Sequence, residues 1–402
     1  MARLSTITPR LYRVPLHQPV VTSFGTMRAR WALWVCVEDA DGAQGWGEVW
    51  CNFPDSGALH RCRLLREVFA PLLPSLDGKD PAQITAQIVA RTRILRLQSA
   101  EYGPLDQCAA GIDTALWDLH AHRLQVPLHR VLRRALGQAP AAPIAGHPAP
   151  ATGVPSDAPS PAGTVRMRAY ASGINPQGAA QTLSRAASEG HRAFKVKIGF
   201  ADAQDLRTLA EAREAAGSAW LAADANQGWT REQALAMLPQ LAHFELAWLE
   251  EPIAADATAA DWQALAAIAP MPLAAGENIN QLAAFETALA DWRLSVMQPD
   301  LAKWGGLSGC LEVVRRCREH GTLYCPHYLG GGIGLLASAH LLAASEQDGL
   351  LEIDVNPNPL RTEVLAGALQ PQEGWVTLSN GPGLGLTPDL NALKAWALPL
   401  PE

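Results

Sequence analysis

Ionisable side chains recur at nearly constant intervals in the second half of the chain, each at the end of a short apolar run. Successive members are 23 to 27 residues apart. They are Lys197, Asp224, Glu250, Glu277, Asp300, His327 and Glu352. One strand–helix unit of an eight-fold barrel takes about 30 residues, so the interval predicts one such group at each strand end. Because the carboxyl ends of barrel strands meet at one face, we expect these side chains to converge on a single site.

Short apolar runs alternate with helical segments from residue 166 onwards, a pattern typical of strand–helix units around a parallel sheet. Thr230 and Gln233 have the spacing of a capping box, and Gly217 and Gly321 stand where helices are expected to end. The candidate strands are residues 168–172, 194–198, 220–224, 247–250, 272–276, 295–298, 322–326 and 351–353. Eight strands of this kind predict an α/β barrel.

The rest of the sequence predicts a second domain and a linker. Residues 1–136 combine an Asp41-Gly42 hairpin turn with stretches of helical spacing, which indicates an α+β domain. Residues 137–165 are rich in Ala, Pro, Gly and Ser without periodicity, so we expect an insertion or linker. We assign residues 166–365 to the barrel and expect residues 366–402 to return to the first domain. The expected strands and helices of that domain are residues 32–38, 45–50, 64–73, 81–97 and 105–136.

Charge and cysteine content exclude several classes of protein. The chain carries 32 Lys and Arg against 39 Asp and Glu, a net charge of −7, and has no basic block. Nucleic acid and membranes are therefore not expected partners. The seven cysteines show no C-x-x-C spacing, which argues against disulfides or a zinc site and favours a reducing, cytoplasmic location. The longest apolar run, residues 264–275, is too short to span a bilayer.

Three of the carboxylates belong to consecutive strand–helix units. Asp224, Glu250 and Glu277 would supply hard oxygen ligands, a donor set that suits Mg²⁺. A single acid at a strand end often acts instead as the N-cap of the next helix. Three acids in the same position of three units favour the metal site.

Two lysines and a histidine–aspartate pair are the candidate acid–base groups. Lys195 and Lys197 are two residues apart in one strand, so both side chains should point to the same side. Repulsion between the ammonium groups, together with burial, is expected to lower the pKa of at least one of them toward that of a usable base. Asp300 and His327 end neighbouring strands, so the carboxylate is expected to fix the imidazole tautomer and raise its proton affinity.

These motifs resemble those of the enolase superfamily, specifically its mandelate racemase subgroup, over nearly the whole chain. The matching segments are residues 195–197, 224–227, 248–252, 276–278, 299–306, 326–327 and 351–353. The resemblance implies an α+β capping domain, formed by the N-terminal region and the C-terminal tail, over a modified (β/α)7β barrel that binds Mg²⁺. The muconate cycloisomerase branch has a second lysine where this chain has Asp300, which argues against that branch.

The resemblance also implies a role for each site residue. Lys197 and the His327–Asp300 pair would be the acid–base groups on opposite faces of the substrate. Lys195 would hold the substrate carboxylate, and Glu352 would donate a hydrogen bond to the enediolate. The polar contacts in the pocket would be Ser172 and Asn226.

Removal of the proton α to a carboxylate is the implied reaction, with a small-molecule carboxylate as substrate. We expect dehydration of a sugar acid, because such acids supply both the α-proton and a β-hydroxyl, and Arg28, Arg30 and Asn52 could bind a polyhydroxylated chain. A racemase or epimerase of a 2-hydroxy acid is the alternative, since two bases also allow a proton to return on the other face. A homo-oligomer is expected.

Two other classes of protein, an oxidoreductase and a non-catalytic scaffold, fit the sequence less well. Gly332-x-Gly334-x-x-Ala337 lies 20 residues before Glu352, as in the dinucleotide-binding fingerprint of an NAD-dependent oxidoreductase. That motif leaves the upstream polar strand ends unexplained, and no second half of a Rossmann sheet follows it. A non-catalytic scaffold is disfavoured because every expected ligand and acid–base position holds a competent residue.

Overall fold

The computed structural model describes residues 3–21, 25–76, 78, 80–137 and 164–401. The expected linker, residues 137–165, falls almost wholly outside the described residues. Three positions of the loop before the second strand, residues 22–24, also lie outside them.

The N-terminal region opens with an antiparallel sheet of four strands in the order β13-β1-β2-β3. Its strands are β1 (Leu4–Val21), β2 (Thr26–Asp39), β3 (Gln44–Val49) and β13 (Ala397–Leu398). The hairpin turn at Asp41-Gly42 is confirmed, with Gly42 at a φ of +80°. Strand β1 was not predicted, because prolines such as Pro9 and Pro15 usually mark a segment as irregular. The strand accommodates them because β13 pairs with only two of its residues, at Leu11 and Tyr12.

Four α-helices follow this sheet. They are α1 (Gly57–Leu64), α2 (Pro81–Ser99), α3 (Tyr102–Leu124) and α4 (Leu128–Leu136). The prediction of one helical stretch over 105–136 was wrong, because Pro127 lacks an N–H and biases the residue before it away from the helix. The stretch expected over 64–73 continues α1 as a π turn, Leu65–Phe69, and a 3-10 helix, Ala70–Ser75.

The second half of the chain forms a curled parallel sheet surrounded by helices, as the sequence predicts. Its strands, in the sheet order β10-β9-β8-β7-β6-β5-β4-β11, hydrogen-bond to their neighbours in the parallel sense. They are β4 (Val165–Ile174), β5 (Ala193–Lys197), β6 (Trp220–Asp224), β7 (Leu249–Glu250), β8 (Leu273–Ala275), β9 (Val296–Met297), β10 (Leu323–Tyr324) and β11 (Leu350–Asp354). In the described residues no backbone ladder joins β10 to β11, where the Leu350 amide donates to Cys325 Sγ instead.

Helices connect these strands and end where local signals predict. They are α5 (Ala179–Ser188), α6 (Asp202–Ala216), α7 (Arg231–Met237), α8 (Ala259–Ile268), α9 (Leu282–Asp291), α10 (Gly306–His320), α11 (Gly332–Ser345) and α12 (Pro359–Leu365). The capping box of Thr230 and Gln233 is present at the start of α7. Gly217 and Gly321 are the C-caps of α6 and α10.

The C-terminal tail joins both halves of the molecule. Strand β12 (Trp375–Leu378) pairs antiparallel with β4 of the barrel, and β13 then pairs with β1 of the N-terminal sheet. The tail therefore returns to the cap as expected, after first adding a strand to the barrel sheet. The buried Asp118 of α3 ties the two together, since it accepts from the amides of Trp46 in β3 and Leu384 in the tail. No helix in the described part of the chain is long and apolar enough to cross a membrane.

Candidate active site

Three carboxylates meet at the carboxyl ends of consecutive barrel strands. Asp224 ends β6, Glu250 ends β7, and Glu277 follows β8 by two residues. The register of the sheet places Asp224 beside Glu250 on one side and Lys197 on the other. All three carboxylates are buried. The strand-end spacing in the sequence therefore corresponds to one shared cluster.

Two lysines of β5 point into this cluster. Lys195 Nζ lies 2.6 Å from Glu250 Oε2 and 2.9 Å from Glu352 Oε1. Lys197 Nζ lies 2.6 Å from Asp224 Oδ2.

The expected lowering of a lysine pKa is not found. Burial lowers it, but the carboxylates of Glu250, Glu352 and Asp224 together outweigh burial and hold the pKa of Lys195 well above its usual value. Burial and the nearby Lys195 likewise lower the pKa of Lys197, but Asp224 and Glu277 together outweigh them and raise it. The prediction counted repulsion between the lysines and missed the nearer carboxylates.

The histidine and its aspartate stand on the other side of the cluster. His327 Nδ1 lies 2.8 Å from Asp300 Oδ2, and its Nε2 lies 2.7 Å from Glu277 Oε2. Burial disfavours the charged imidazole, but Glu277 and the hydrogen bond with Asp300 hold the pKa of His327 well above its usual value. The direction agrees with the expected effect of Asp300, although Glu277 has the larger influence.

The cluster holds more negative than positive groups, and all of them are largely buried. Its carboxylates are Asp224, Glu250, Glu251, Glu277, Asp300 and Glu352, and its bases are Lys195, Lys197, Lys303 and His327. Burial and the neighbouring carboxylates outweigh Lys195 and raise the pKa of Glu250 to about 7. Burial, with Glu277 beside it, raises the pKa of Glu251 well above the usual range. An excess of buried carboxylates with oxygen donors at three strand ends fits a hard divalent cation.

Within the described residues, however, no three His, Cys, Asp or Glu side chains stand in a ready coordination shell. The lysines occupy the oxygens that such a shell would use. Lys303 Nζ lies 3.0 Å from Glu277 Oε2. Lys195 and Lys197 contact carboxylate oxygens of Glu250 and Asp224 in the same way.

The remaining predicted site residues also lie in or beside the cluster. The Asn226 amide donates to Asp224 Oδ1 at 2.7 Å, and its Nδ2 donates to Glu277 Oε1 at 3.1 Å. The Ser172 hydroxyl donates to Glu352, whose pKa is held below its usual value because Lys195 and His327 outweigh its burial. Glu352 is therefore a carboxylate acceptor in this arrangement, whereas the resemblance implied a donor.

Several members of the cluster were not singled out from the sequence. Gln298 Nε2 donates to Glu250 Oε2 at 2.7 Å, and its own Oε1 is buried with no hydrogen-bond partner. Asn278 Nδ2 donates to Glu251 Oε2 at 2.9 Å. Lys303 lies 5.4 Å from the centroid of the Trp50 ring, so it meets the capping domain. Gln298 and Lys303 flank Asp300 within one short segment. A search for one ionisable residue at each strand end does not select them.

Two of the three residues expected to bind a polyhydroxylated chain, Arg30 and Asn52, make contacts within the protein. Arg30 is buried and pairs with Asp354 Oδ2 at 2.7 Å, so it links the cap to β11. Arg28 is exposed to solvent. Asn52 Nδ2 donates to the Leu329 carbonyl at 2.5 Å.

At the glycine motif that suggested a dinucleotide site, the helix start binds a carboxylate of the protein itself. The amides of Gly331 and Gly334, at the start of α11, donate to Oε1 and Oε2 of Glu48 at 2.6 and 3.0 Å. A carboxylate of the cap thus stands where the fingerprint would place a pyrophosphate.

The fold and the cluster define a class: a capped barrel with acid–base side chains on both sides of a carboxylate group. Comparison with known proteins gives the family. Residues 6–132 match the mandelate racemase/muconate lactonizing enzyme N-terminal domain, and residues 178–392 match the enolase C-terminal domain-like family. The chain belongs to the mandelate racemase/muconate lactonizing enzyme family of the enolase superfamily.

Relatives of known activity are similar along the whole chain. A D-galactarolactone cycloisomerase of Agrobacterium fabrum is 28% identical over 99% of this chain and 100% of its own length. An L-talarate/galactarate dehydratase of Salmonella typhimurium is 29% identical over 78% of this chain and 71% of its own. Members of the family are thus lyases and isomerases.

Solved structures agree with the fold. The structure of a mandelate racemase/muconate lactonizing enzyme from Bordetella bronchiseptica is 48% identical, with a TM-score of 0.84 over 98% of this chain and 99% of that one. A racemase from Streptomyces coelicolor shares the fold at 23% identity, with a TM-score of 0.79 over 98% of this chain and 100% of its own, and was solved with bound magnesium.

Proposed function

We propose that this protein is a Mg²⁺-dependent acid-sugar dehydratase. The observation that carries the proposal is the arrangement of Lys197 and His327. Lys197 ends the second barrel strand in chain order, His327 follows the seventh, and each touches a different member of one carboxylate cluster. An acid and a base on two sides of one pocket are what elimination next to a carboxylate needs.

The proposed metal ligands are Asp224, Glu250 and Glu277. When bound, Mg²⁺ would neutralise the substrate carboxylate and the charge that develops on it, and would take up the carboxylate charge that now holds the lysines protonated. The buried excess of carboxylates and the unpartnered Gln298 Oε1 support a polar occupant of the cluster.

The chain's own residues would then move two protons. Lys197 Nζ, in its neutral form, takes the α-proton, and the C–H electron pair forms the enediolate. His327 Nε2, in its cationic form, gives its proton to the β-hydroxyl as the C–O bond breaks, so that water leaves. The resulting enol becomes a 2-keto acid. Asp300 holds the imidazole through Nδ1, Lys195 holds the substrate carboxylate, and Ser172, Asn226 and Glu352 line the pocket.

A cycloisomerase is the second candidate, supported by the full-length similarity to the D-galactarolactone enzyme. In a sugar lactone that carries a free carboxylate, the ring oxygen can occupy the β position. Its departure would use the same two proton transfers and would open the ring without loss of water. The racemase or epimerase alternative needs no leaving group at all.

One experiment separates the three reactions. The Mg²⁺-loaded protein is incubated in D2O with a library of mono- and diacid sugars and their lactones, and 2-keto product, product mass and α-deuterium are measured. A keto product lighter by one water supports the dehydratase, and one of unchanged mass supports the cycloisomerase. Deuterium exchange without keto product, across the acids that react, would establish the racemase or epimerase instead. Glu211→Gln, an exposed change on α6, is the matched control for later variants.

The proposal includes a homo-oligomeric state and a cytoplasmic location. Exposed apolar side chains on α2, among them Ile94 at 56% and Leu97 at 53% exposure, support association into a homo-oligomer. Sedimentation as a monomer at working concentration would contradict it. All seven cysteines are free and buried, which supports the proposed cytoplasmic location.

A further inference from the structure

The segment that carries His327 is held in place by the side chains of other elements. The Tyr328 amide donates to Glu352 Oε2, the Leu329 carbonyl accepts from Asn52, and the Gly330 carbonyl accepts from Asn358. The strand before it, β10, is only two residues long and has a ladder only toward β9 in the described residues. Backbone pairing reaches as far as His327, whose amide donates to the Pro299 carbonyl at 3.3 Å, and residues 328–330 are then held by these side-chain contacts.

Glu48 is the central member of this set of contacts. It lies in β3 of the cap, its side chain is buried, and it accepts from the Gly331 and Gly334 amides and from the Tyr328 hydroxyl. Gly331 is the N-cap of α11, so the carboxylate also stands at the positive end of a helix of 14 residues. It satisfies two of the four amides that a helix start leaves without partners.

The glycines of this segment permit the close approach. A Cβ on Gly331 would lie 2.6 Å from Glu48 Oε1, and a Cβ on Gly334 would lie 2.1 Å from the Tyr328 hydroxyl. Gly331 itself has a φ of −84°, which any residue adopts. Its glycine is therefore required by the neighbouring carboxylate and not by backbone strain. Gly334, a member of the glycine motif that the proposed reaction leaves unused, is accounted for by the Tyr328 hydroxyl beside it.

We infer that Glu48 is a positioning residue: the capping domain sets the location of His327 by anchoring residues 328–334 through this carboxylate. The inference deepens the proposed function, since it concerns the acid of that reaction. It predicts that loss of the anchor affects proton delivery by His327 while removal of the α-proton by Lys197, on the strand-held side, continues.

Two measurements test the anchor without any turnover. In Glu48→Gln an amide NH2 replaces one accepting oxygen, so we expect hydrogen exchange at residues 328–336 to rise by about 10-fold. Carbethoxylation of His327 by diethyl pyrocarbonate, followed by peptide mass, should also become several-fold faster. His60, whose side chain is 43% exposed, is the internal reference. Unchanged exchange and unchanged His327 reactivity would overturn the inference.

A double-mutant cycle excludes general damage to the fold. Gly331→Ala pushes against the carboxylate from the barrel side and should reproduce the effects of losing Glu48. In a Glu48→Ala background the clash is gone, so Gly331→Ala should add little further effect. Gly103→Ala is the control, because a Cβ there has only Gln107 Nε2 nearby, at 3.8 Å. Full additivity of the two changes would contradict the anchor, and the cycle remains readable if Glu48→Gln folds poorly.

The catalytic consequence is measured with an acid that reacts in the library above. In Glu48→Gln we expect keto product to form about 10- to 100-fold more slowly, as a displaced acid implies, with α-deuterium exchange changed by less than about threefold. Equal losses of both would show a structural role only. If no acid shows exchange or product even with the unmodified protein, the proposed function fails, while the exchange and carbethoxylation results still decide the inference about Glu48.

Discussion

The two sides of the barrel mouth are built in different ways. On the lysine side, Lys195 and Lys197 lie within β5, which pairs with strands on both flanks, and the register sets Lys197 beside Asp224. On the histidine side, His327 follows a two-residue strand, and its amide and ring bond to Pro299 and Asp300. The residues just after it contact side chains of both the cap and the barrel, among them Glu48, which accepts from Gly331, 283 residues away in sequence. Backbone ladders therefore fix the proposed base, whereas side chains from several elements hold the segment that follows the proposed acid.

On the inference above, the cap helps to position the proposed acid as well as covering the site. A change in the cap that leaves the barrel ladder intact should affect the two sides unequally.

Glu250→Gln should abolish metal binding and turnover together, because Glu250 is a proposed ligand and also holds Lys195 through both of its oxygens. Metal content and keto-acid formation are measured on the same preparation, with Glu211→Gln as control. Exhaustive chelation of the unmodified protein should have the same effect. Full turnover with no divalent ion present would refute the metal site.

Lys197→Met and His327→Asn should separate the two sides. Lys197→Met should suppress α-proton exchange and product together by about 10³-fold, since the base is lost. His327→Asn should reduce product by a similar factor and leave exchange for one configuration of the substrate. Both rates are followed in D2O by NMR. Intact turnover in His327→Asn would show that the acid has been wrongly assigned.

Asp300→Asn should have a smaller effect, confined to the histidine side. The new NH2 would donate where Asp300 Oδ2 now faces His327 Nδ1, and so would favour the wrong imidazole tautomer. We expect product formation to fall by about 10²-fold, the lower end of what a general acid contributes, with exchange nearly unchanged. Equal loss of exchange would mean that the damage reaches the lysine side.

The smallest expected effect is on the pH dependence of stability. Burial raises the pKa of Glu48 from 4.5 to about 7, although the amides of Gly334 and Gly331 oppose the shift. The folded chain thus binds this proton more tightly than the unfolded chain does. The stabilisation is fully present below about pH 4.5 and is lost as pH rises through about 7.

Urea unfolding at pH 5 and pH 8 measures this contribution. From pH 5 to pH 8 the unmodified protein should lose up to about 3 kcal/mol more stability than Glu48→Gln does. Comparing the two proteins removes the contributions of other groups, such as Asp354, whose pKa is lowered because its arginine partners outweigh burial. The same pH dependence in both would show that Glu48 is ionised throughout this range.

Much of the fold could be predicted because its signals are local. All eight barrel strands were located from short apolar runs, and the helix ends at Thr230, Gly217 and Gly321 from capping rules. Strand β1 was missed because prolines are unusual within strands. Residues 105–136 were predicted as one helical stretch because the helical spacing of apolar residues continues across Pro127.

The carboxylates and lysines of the candidate site followed from the sequence for the same reason. A residue at the end of a barrel strand is placed by its own strand, so the spacing of Asp224, Glu250 and Glu277 was enough to bring them together.

The pKa values of the site residues and the contacts around His327 depend on tertiary packing and could not be predicted from the sequence. The pKa values of the lysines rise because carboxylates from other strands come within 3 Å, and no spacing rule reports those distances. Glu48 reaches the start of α11 because the cap packs against the barrel, and Arg30 reaches Asp354 in the same way. Which residues lie at the strand ends could be predicted from the sequence, since strand periodicity is local. Which partners face them depends on packing between segments hundreds of residues apart.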